Sequence, residues 1–312
     1  MRKLLALSCL AAVLGSDASC AAPSGKAPAA QKESPAAQTP AAPAAALPEL
    51  GEGRRLEPGV VFHEVRLPGR GAAGKLWVYL PESAARGKIP CVLIAPAGTR
   101  MFHGATLGEG DRPEHLPYAR AGFAVVAYEL DGPLEDDASE EEMFQAAELF
   151  RRAEAGLLNA RAALDYALAK LPQVDASRVY TAGHSSAGTT SLLVAEREPR
   201  IAACVAYAPV TDLEKYFGEV ALAELSAAMP DYGEFVKRVS PQAGLRELRR
   251  PLFLFHAEDD DMAPIAESAK FAAEVSKHNP AVTFVRAARG GHYDSMLKEG
   301  VPKAIAWLKA LN

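Results

Sequence analysis

The sequence predicts an α/β fold, a mostly parallel central sheet with helices on both faces. Three observations carry that expectation. Continuous apolar runs of strand length alternate with segments whose apolar residues recur every three to four positions, the pattern of parallel strands joined by crossover helices. One strand-like run, 179–182, passes through small residues around Ser185 straight into the helix-like 189–195. Two later strand-like runs each end in a loop bearing acids or a histidine, where parallel sheets gather functional groups.

In chain order, Arg2 and Lys3 precede an apolar run over 4–15, and Ala18 and Ser19 precede Cys20. A basic start, a short apolar core and a small-residue exit predict a secretory signal over 1–20, too short to span a bilayer stably. Ala18-Ser19-Cys20 resembles a bacterial lipobox, in which the cysteine is lipidated, although Asp17 stands where that pattern has an aliphatic residue. The expectation is export, either to the bacterial periplasm or as a lipoprotein anchored through Cys20, with plain secretion as the alternative. Residues 21–52 are dominated by Ala, Pro, Gln, Ser and Lys and offer little to bury, so a flexible tether is expected. The folded domain is expected over 53–312.

Strands are expected at 60–67 and 74–80, an antiparallel pair around the Gly-rich 68–71. Further strands are expected at 89–95, 123–128, 178–182, 201–207, 252–256 and 282–285. Helices are expected over 146–171, 265–277 and 295–311, and the acidic 131–142 reads as a solvated loop. After the sixth strand, 210–250 reads as a small helical insertion, either a lid or a segment packed on the body. The net charge of −5 and the lack of any Lys/Arg block exclude nucleic acid as an expected partner. Cys91 and Cys204 sit inside apolar runs and read as free, buried thiols. No C-x-x-C or histidine cluster suggests a metal, and no cofactor is expected.

A serine hydroxyl is a poor nucleophile near neutral pH and needs a histidine to take its proton and an acid to orient that histidine. A strand, a sharp turn and a helix with serine on the turn make a nucleophile elbow, in which the residues two before and two after must be small. Here those are Gly183 and Ala187, with Gly188 beside them. Ser186 is the rival nucleophile, but His184 would then occupy a position that needs a small side chain, so Ser185 is preferred. The loop after 252–256 holds Asp259, Asp260 and Asp261, and the one after 282–285 holds Gly290-Gly291-His292.

The stretch from Ala162 onward resembles the prolyl oligopeptidase and dienelactone hydrolase branch of the α/β-hydrolases. Gly183 to Gly188 matches its G-H-S-x-G-type elbow, and His256-Ala257-Glu258-Asp259-Asp260-Asp261-Met262-Ala263-Pro264 follows its acid loop H-G-x-x-D-x-x-V-P, with Ala257 and Ala263 as departures. Gly290-Gly291-His292 matches its G-G-H, and the gaps of 75 and 32 residues between the three candidates suit that branch. The resemblance implies an α/β-hydrolase fold and a triad of Ser185, Asp260 and His292. It further implies an oxyanion hole from the N–H of Ser186 and one from the loop after residue 94. The family's His-Gly pair is missing there, and Gly98 or Thr99 is favoured. A serine hydrolase working through an acyl-enzyme is expected, acting on small esters or short peptides. The ester reading is preferred because no propeller-sized segment precedes the domain; a prolyl oligopeptidase-like peptidase is the alternative. A catalytically silent envelope binding or scaffold protein is the reading from another class.

Overall fold

The computed structural model describes residues 47–68, 74–135 and 137–311. The expected signal, Cys20 and most of the tether fall outside the described residues, as does most of the Gly-rich turn after residue 68. Among the described residues, nine strands form one sheet in the order β1-β2-β3-β5-β4-β6-β7-β8-β9. The strands β1 (Arg54–Glu57), β2 (Val60–Arg66) and β3 (Lys75–Pro81) form an antiparallel meander that joins β5 (Ala124–Tyr128). All pairings among β4 (Ile89–Ile94), β5, β6 (Val174–His184), β7 (Ala203–Tyr207), β8 (Leu252–Ala257) and β9 (Val282–Ala287) are parallel. The chain steps from β4 out to β5, then returns past β4 to β6. That reversal opens a crevice at the carboxyl ends of β4 and β6.

The helices are α1 (Arg112–Arg120), α2 (Glu140–Arg152), α3 (Leu157–Lys170), α4 (Ser186–Arg197), α5 (Leu213–Ala228), α6 (Tyr232–Val239), α7 (Ile265–Ser276) and α8 (Val301–Ala310). Alternation along each strand divides the core in two. Cys91 and Leu93 of β4 join a core with Leu164 of α3, Leu192 of α4 and Phe271 of α7. Val92 and Ile94 join Tyr118 of α1 and Leu308 of α8 on the other face. Cys91 and Cys204 are buried free thiols, and Leu47 and Leu50 already pack against the first core.

Several features differ from the sequence expectation. The helix expected over 146–171 is two helices, because Glu154, Ala155 and Gly156 have φ of 52°, 52° and 89°. A Cβ on Gly156 would lie 2.5 Å from Leu130 Cδ2, so this turn brings bare backbone against the exit of β5. Leu149, spaced with Ala153 and Leu157 on the apolar period of that segment, is 50% exposed. Helix α1 carries Pro113 in its first turn and Pro117 within, which hid it from the sequence pattern. The insertion follows β7 rather than a sixth strand, since β1 adds one to the count. Leu213, Phe217, Tyr232, Phe235, Val236 and Val239 bury it on the body, while Gly218 (φ 74°, ψ 162°) breaks α5.

Candidate active site

β6 ends at His184 and α4 begins at Ser186, so Ser185 makes the whole turn. Its φ of 54° with ψ of −122° is a conformation L-residues avoid, held because the surroundings over-determine it. The Ser185 N–H donates to Tyr207 O at 2.8 Å, and Thr189 N–H donates to Ser185 O at 3.0 Å. A Cβ on Gly183 would meet Ala187 O at 2.3 Å, which is the steric reason for the small pair. Gly188 is constrained too, as its Cβ would lie 3.0 Å from Gly183 O. Ser185 is partly exposed. Ser186 is buried, and its hydroxyl accepts the Thr99 N–H at 3.1 Å. That bond seats the loop after β4, with Gly98 at φ 89°, against the first turn of α4. Backbone N–H groups and the positive end of the α4 dipole thus gather beside Ser185.

His292 sits after Gly290 (φ 116°) and Gly291 (φ 59°), a backbone path open to glycine. The three consecutive acids of the β8 loop do different things. The Asp259 carboxylate accepts the N–H groups of Gly290 at 3.0 Å and Gly291 at 2.8 Å, holding the histidine loop. Asp260 Oδ2 accepts His292 Nδ1–H at 2.7 Å, while its Oδ1 accepts the N–H groups of Met262 and Ala263, each at 2.9 Å. Asp261 is exposed.

His256 completes this arrangement. Its Nε2 lies 2.9 Å from Ala263 O and 3.0 Å from Asp260 Oδ2, so Nε2 carries the hydrogen, and Nδ1 accepts from the Ser268 hydroxyl at 2.9 Å. Burial alone would raise the Asp260 pKa, but the hydrogen bonds from His256, His292 and Ala263 N–H outweigh it. The carboxyl is held well below the ordinary carboxylate range.

The structure therefore joins Asp260 to His292 directly. Ser185 Oγ makes no hydrogen bond to His292 among the described residues; such bonds often tighten only with substrate bound. The elbow reaches the histidine through His184 instead, whose ring lies 4.5 Å from that of His292. In the sequence His184 bears only on the choice between Ser185 and Ser186, and His256 stands only as the first letter of the acid-loop motif. Adjacency to Ser185 was the available signal for the first, and four-residue spacing to Asp260 for the second. Nothing in the sequence marked Asp259 as the loop anchor. No group of three potential metal ligands occurs among the described residues, and no described helix is long and apolar enough to cross a membrane.

Among known proteins, a family model described as the prolyl oligopeptidase family matches residues 116–310, well over half the chain. Curated protein sequences return no match. Among solved structures, a glucuronoyl esterase from Solibacter usitatus superposes with a TM-score of 0.61 at 19% identity over 88% of each chain. An S-formylglutathione hydrolase from Agrobacterium tumefaciens gives 0.60 at 15% identity, over 84% of this chain and 99% of that one. An acylaminoacyl peptidase from Pyrococcus horikoshii gives 0.56 at 18% identity, over 76% of this chain and 38% of that one. At such identities the likeness establishes the α/β-hydrolase fold alone.

Proposed function

As the chain belongs to the prolyl oligopeptidase family, we propose that it is a serine hydrolase that cleaves carboxylic esters through an acyl-enzyme on Ser185. The observation that carries this reading is the part-buried Asp260–His292 hydrogen bond of 2.7 Å set beside a strained, partly exposed serine. Ser185 Oγ attacks the ester carbonyl as its proton passes to His292 Nε2. Asp260 accepts the Nδ1–H of His292, fixes the tautomer that leaves Nε2 free to accept, and stabilises the imidazolium. The tetrahedral oxyanion is met by Ser186 N–H and by Gly98 N–H, because the Thr99 N–H is already given to the Ser186 hydroxyl. The imidazolium then gives its proton to the departing alkoxide, and water repeats the sequence to free the acid.

Two chains spanned almost end to end, the glucuronoyl esterase and the S-formylglutathione hydrolase, support the ester reading over the peptidase one. Tyr216, Met262 and Tyr293, on α5 and on the acid and histidine loops, are exposed and offer apolar contacts for acyl or alcohol groups. The decisive comparison is kcat/KM for short-chain p-nitrophenyl esters against aminoacyl p-nitroanilides. Esters should be favoured at least tenfold, with Ser185→Ala lowering kcat by a factor on the order of 10³ or more. Faster anilide cleavage would make the protein a peptidase, and no turnover of either would favour the silent binding protein. Export with lipidation at Cys20 belongs to the same proposal. Palmitate incorporation in a bacterial host should disappear in Cys20→Ser, and its absence from the unaltered chain would remove the anchor.

A further inference from the structure

His184 is the last residue of β6 and is almost wholly buried, so it cannot shift without the elbow. Its Nε2 lies 3.0 Å from the main-chain oxygen of His292. A carbonyl only accepts, so Nε2 carries the hydrogen, and in the neutral ring Nδ1 presents a lone pair. That lone pair faces Glu114 of α1, with Oε1 at 3.8 Å. The other side of the ring packs against Tyr293, 5.5 Å between centroids.

The histidine loop therefore has three anchors, two from the β8 loop and one from β6. Asp259 holds its N–H groups, Asp260 holds the imidazole of His292, and His184 holds the carbonyl of His292. Only the third comes from the strand that carries the nucleophile. It ties the base to Ser185 through two residues of continuous chain.

We propose that His184 is a positioning residue that sets His292 against Ser185, and that Glu114, as a neutral acid, fixes the His184 tautomer that does so. The inference rests on the triad reading given above. Glu114 lies 3.8 Å from Nδ1, beyond a direct hydrogen bond, and as a neutral acid it leaves that lone pair undisturbed. A carboxylate would repel that lone pair and draw the hydrogen to Nδ1, leaving Nε2 facing the His292 carbonyl with nothing to donate.

The surroundings favour the neutral pair. Burial, then the charge of Asp111, pushes Glu114 up to about 8, and Tyr118, Tyr207 and Tyr293 are the other titratable groups near it. Burial, then the neighbouring His292, pushes His184 down to about 4, with Asp260 opposing and His256 adding to the shift. A neutral His184 also adds no positive charge against the imidazolium that forms on His292 4.5 Å away.

The test is a set of kcat and KM profiles from pH 6 to 10 on a short-chain ester, for the full chain and its variants. In the unaltered chain kcat should fall on an alkaline limb as Glu114, its carboxyl pushed by burial to about 8, ionises. Glu114→Gln keeps a neutral side chain that cannot ionise, so its ratio of kcat at pH 9.5 to pH 7 should exceed the unaltered ratio at least fivefold. His184→Phe keeps a ring but no donor and should lower kcat about tenfold with KM within twofold. His184→Gln, which restores an N–H, should recover part of that loss. An unchanged alkaline limb in Glu114→Gln, or equal kcat in His184→Phe and His184→Gln, overturns the inference. Circular dichroism at each pH shows whether a variant is folded, and an unfolded His184→Phe leaves the Glu114→Gln limb as the deciding result. Loss of turnover in the unaltered chain would instead overturn the triad reading itself.

Discussion

Asp260 accepts hydrogen bonds from two backbone N–H groups and two histidines, and its side chain has no exposed surface. A carboxylate so satisfied stays ionised far into the acid range, so it orients His292 without competing for its proton. Asp260→Asn should lower kcat by a factor on the order of 10³–10⁴ while the fold survives, read from initial rates beside near-ultraviolet circular dichroism. A loss of less than tenfold would mean another group orients the base. Glu196 shows the opposite situation. It is buried, its carboxyl oxygens have no hydrogen-bond partner among the described residues, and burial raises its pKa well above 4.5, Arg197 opposing and Glu247 adding. Between the ordinary carboxylate range and that raised value, the unfolded chain releases a proton that the folded chain keeps, so this residue's contribution to stability declines as pH rises. Glu196→Gln should gain in Tm relative to the unaltered chain between pH 5 and 8; parallel Tm curves would refute the burial argument. Motif order and spacing single out Ser185, Asp260 and His292 as candidates, and the structure joins the last two. The roles of His256, His184 and Asp259 were hidden, because each depends on which atoms a folded loop turns inward.

At the scale of elements, the elbow depends on a backbone approach that only small residues permit. Gly183→Ala would put a methyl 2.3 Å from Ala187 O, so β6 and α4 must separate. We expect a cost of about 1–3 kcal/mol in urea unfolding and at least a tenfold drop in kcat. Unchanged stability and rate would mean that the turn is not sterically fixed. The strands were legible because a sheet covered on both faces writes continuous apolar runs, and β4, β5, β7 and β8 start and end within two residues of expectation. Helix boundaries were less so. The apolar period continues through Glu154-Ala155-Gly156, yet tertiary packing against Leu130 imposes three left-handed residues there. α1 was missed because its two prolines mask a helix that is justified by burying Tyr118 and Ala119 on the sheet. β1 pairs with β2 through a short segment with half of its residues exposed, a pattern too weak to read.

For the whole molecule, the order reversal between β4 and β6 gathers the site. It places the Thr99 loop beside the elbow, and the parallel β7, β8 and β9 carry the acid and histidine loops to the same end of the sheet. The three groups lie 75 and 32 residues apart along the chain, and the continuous parallel sheet brings them together. The alternation of strands and helices announced that architecture, but not how the α5–α6 insertion docks. Its Phe217 and Phe235 pack inward while Tyr216 and Val220 stay exposed. All of this converges on one claim, that Ser185 is the nucleophile. Labelling of the full chain with a fluorophosphonate, followed by peptide mass mapping and compared with Ser185→Ala and Ser186→Ala, tests it most directly. The account predicts one adduct, on Ser185, lost in Ser185→Ala and kept in Ser186→Ala. An adduct on Ser186, or none on the folded chain, would contradict it.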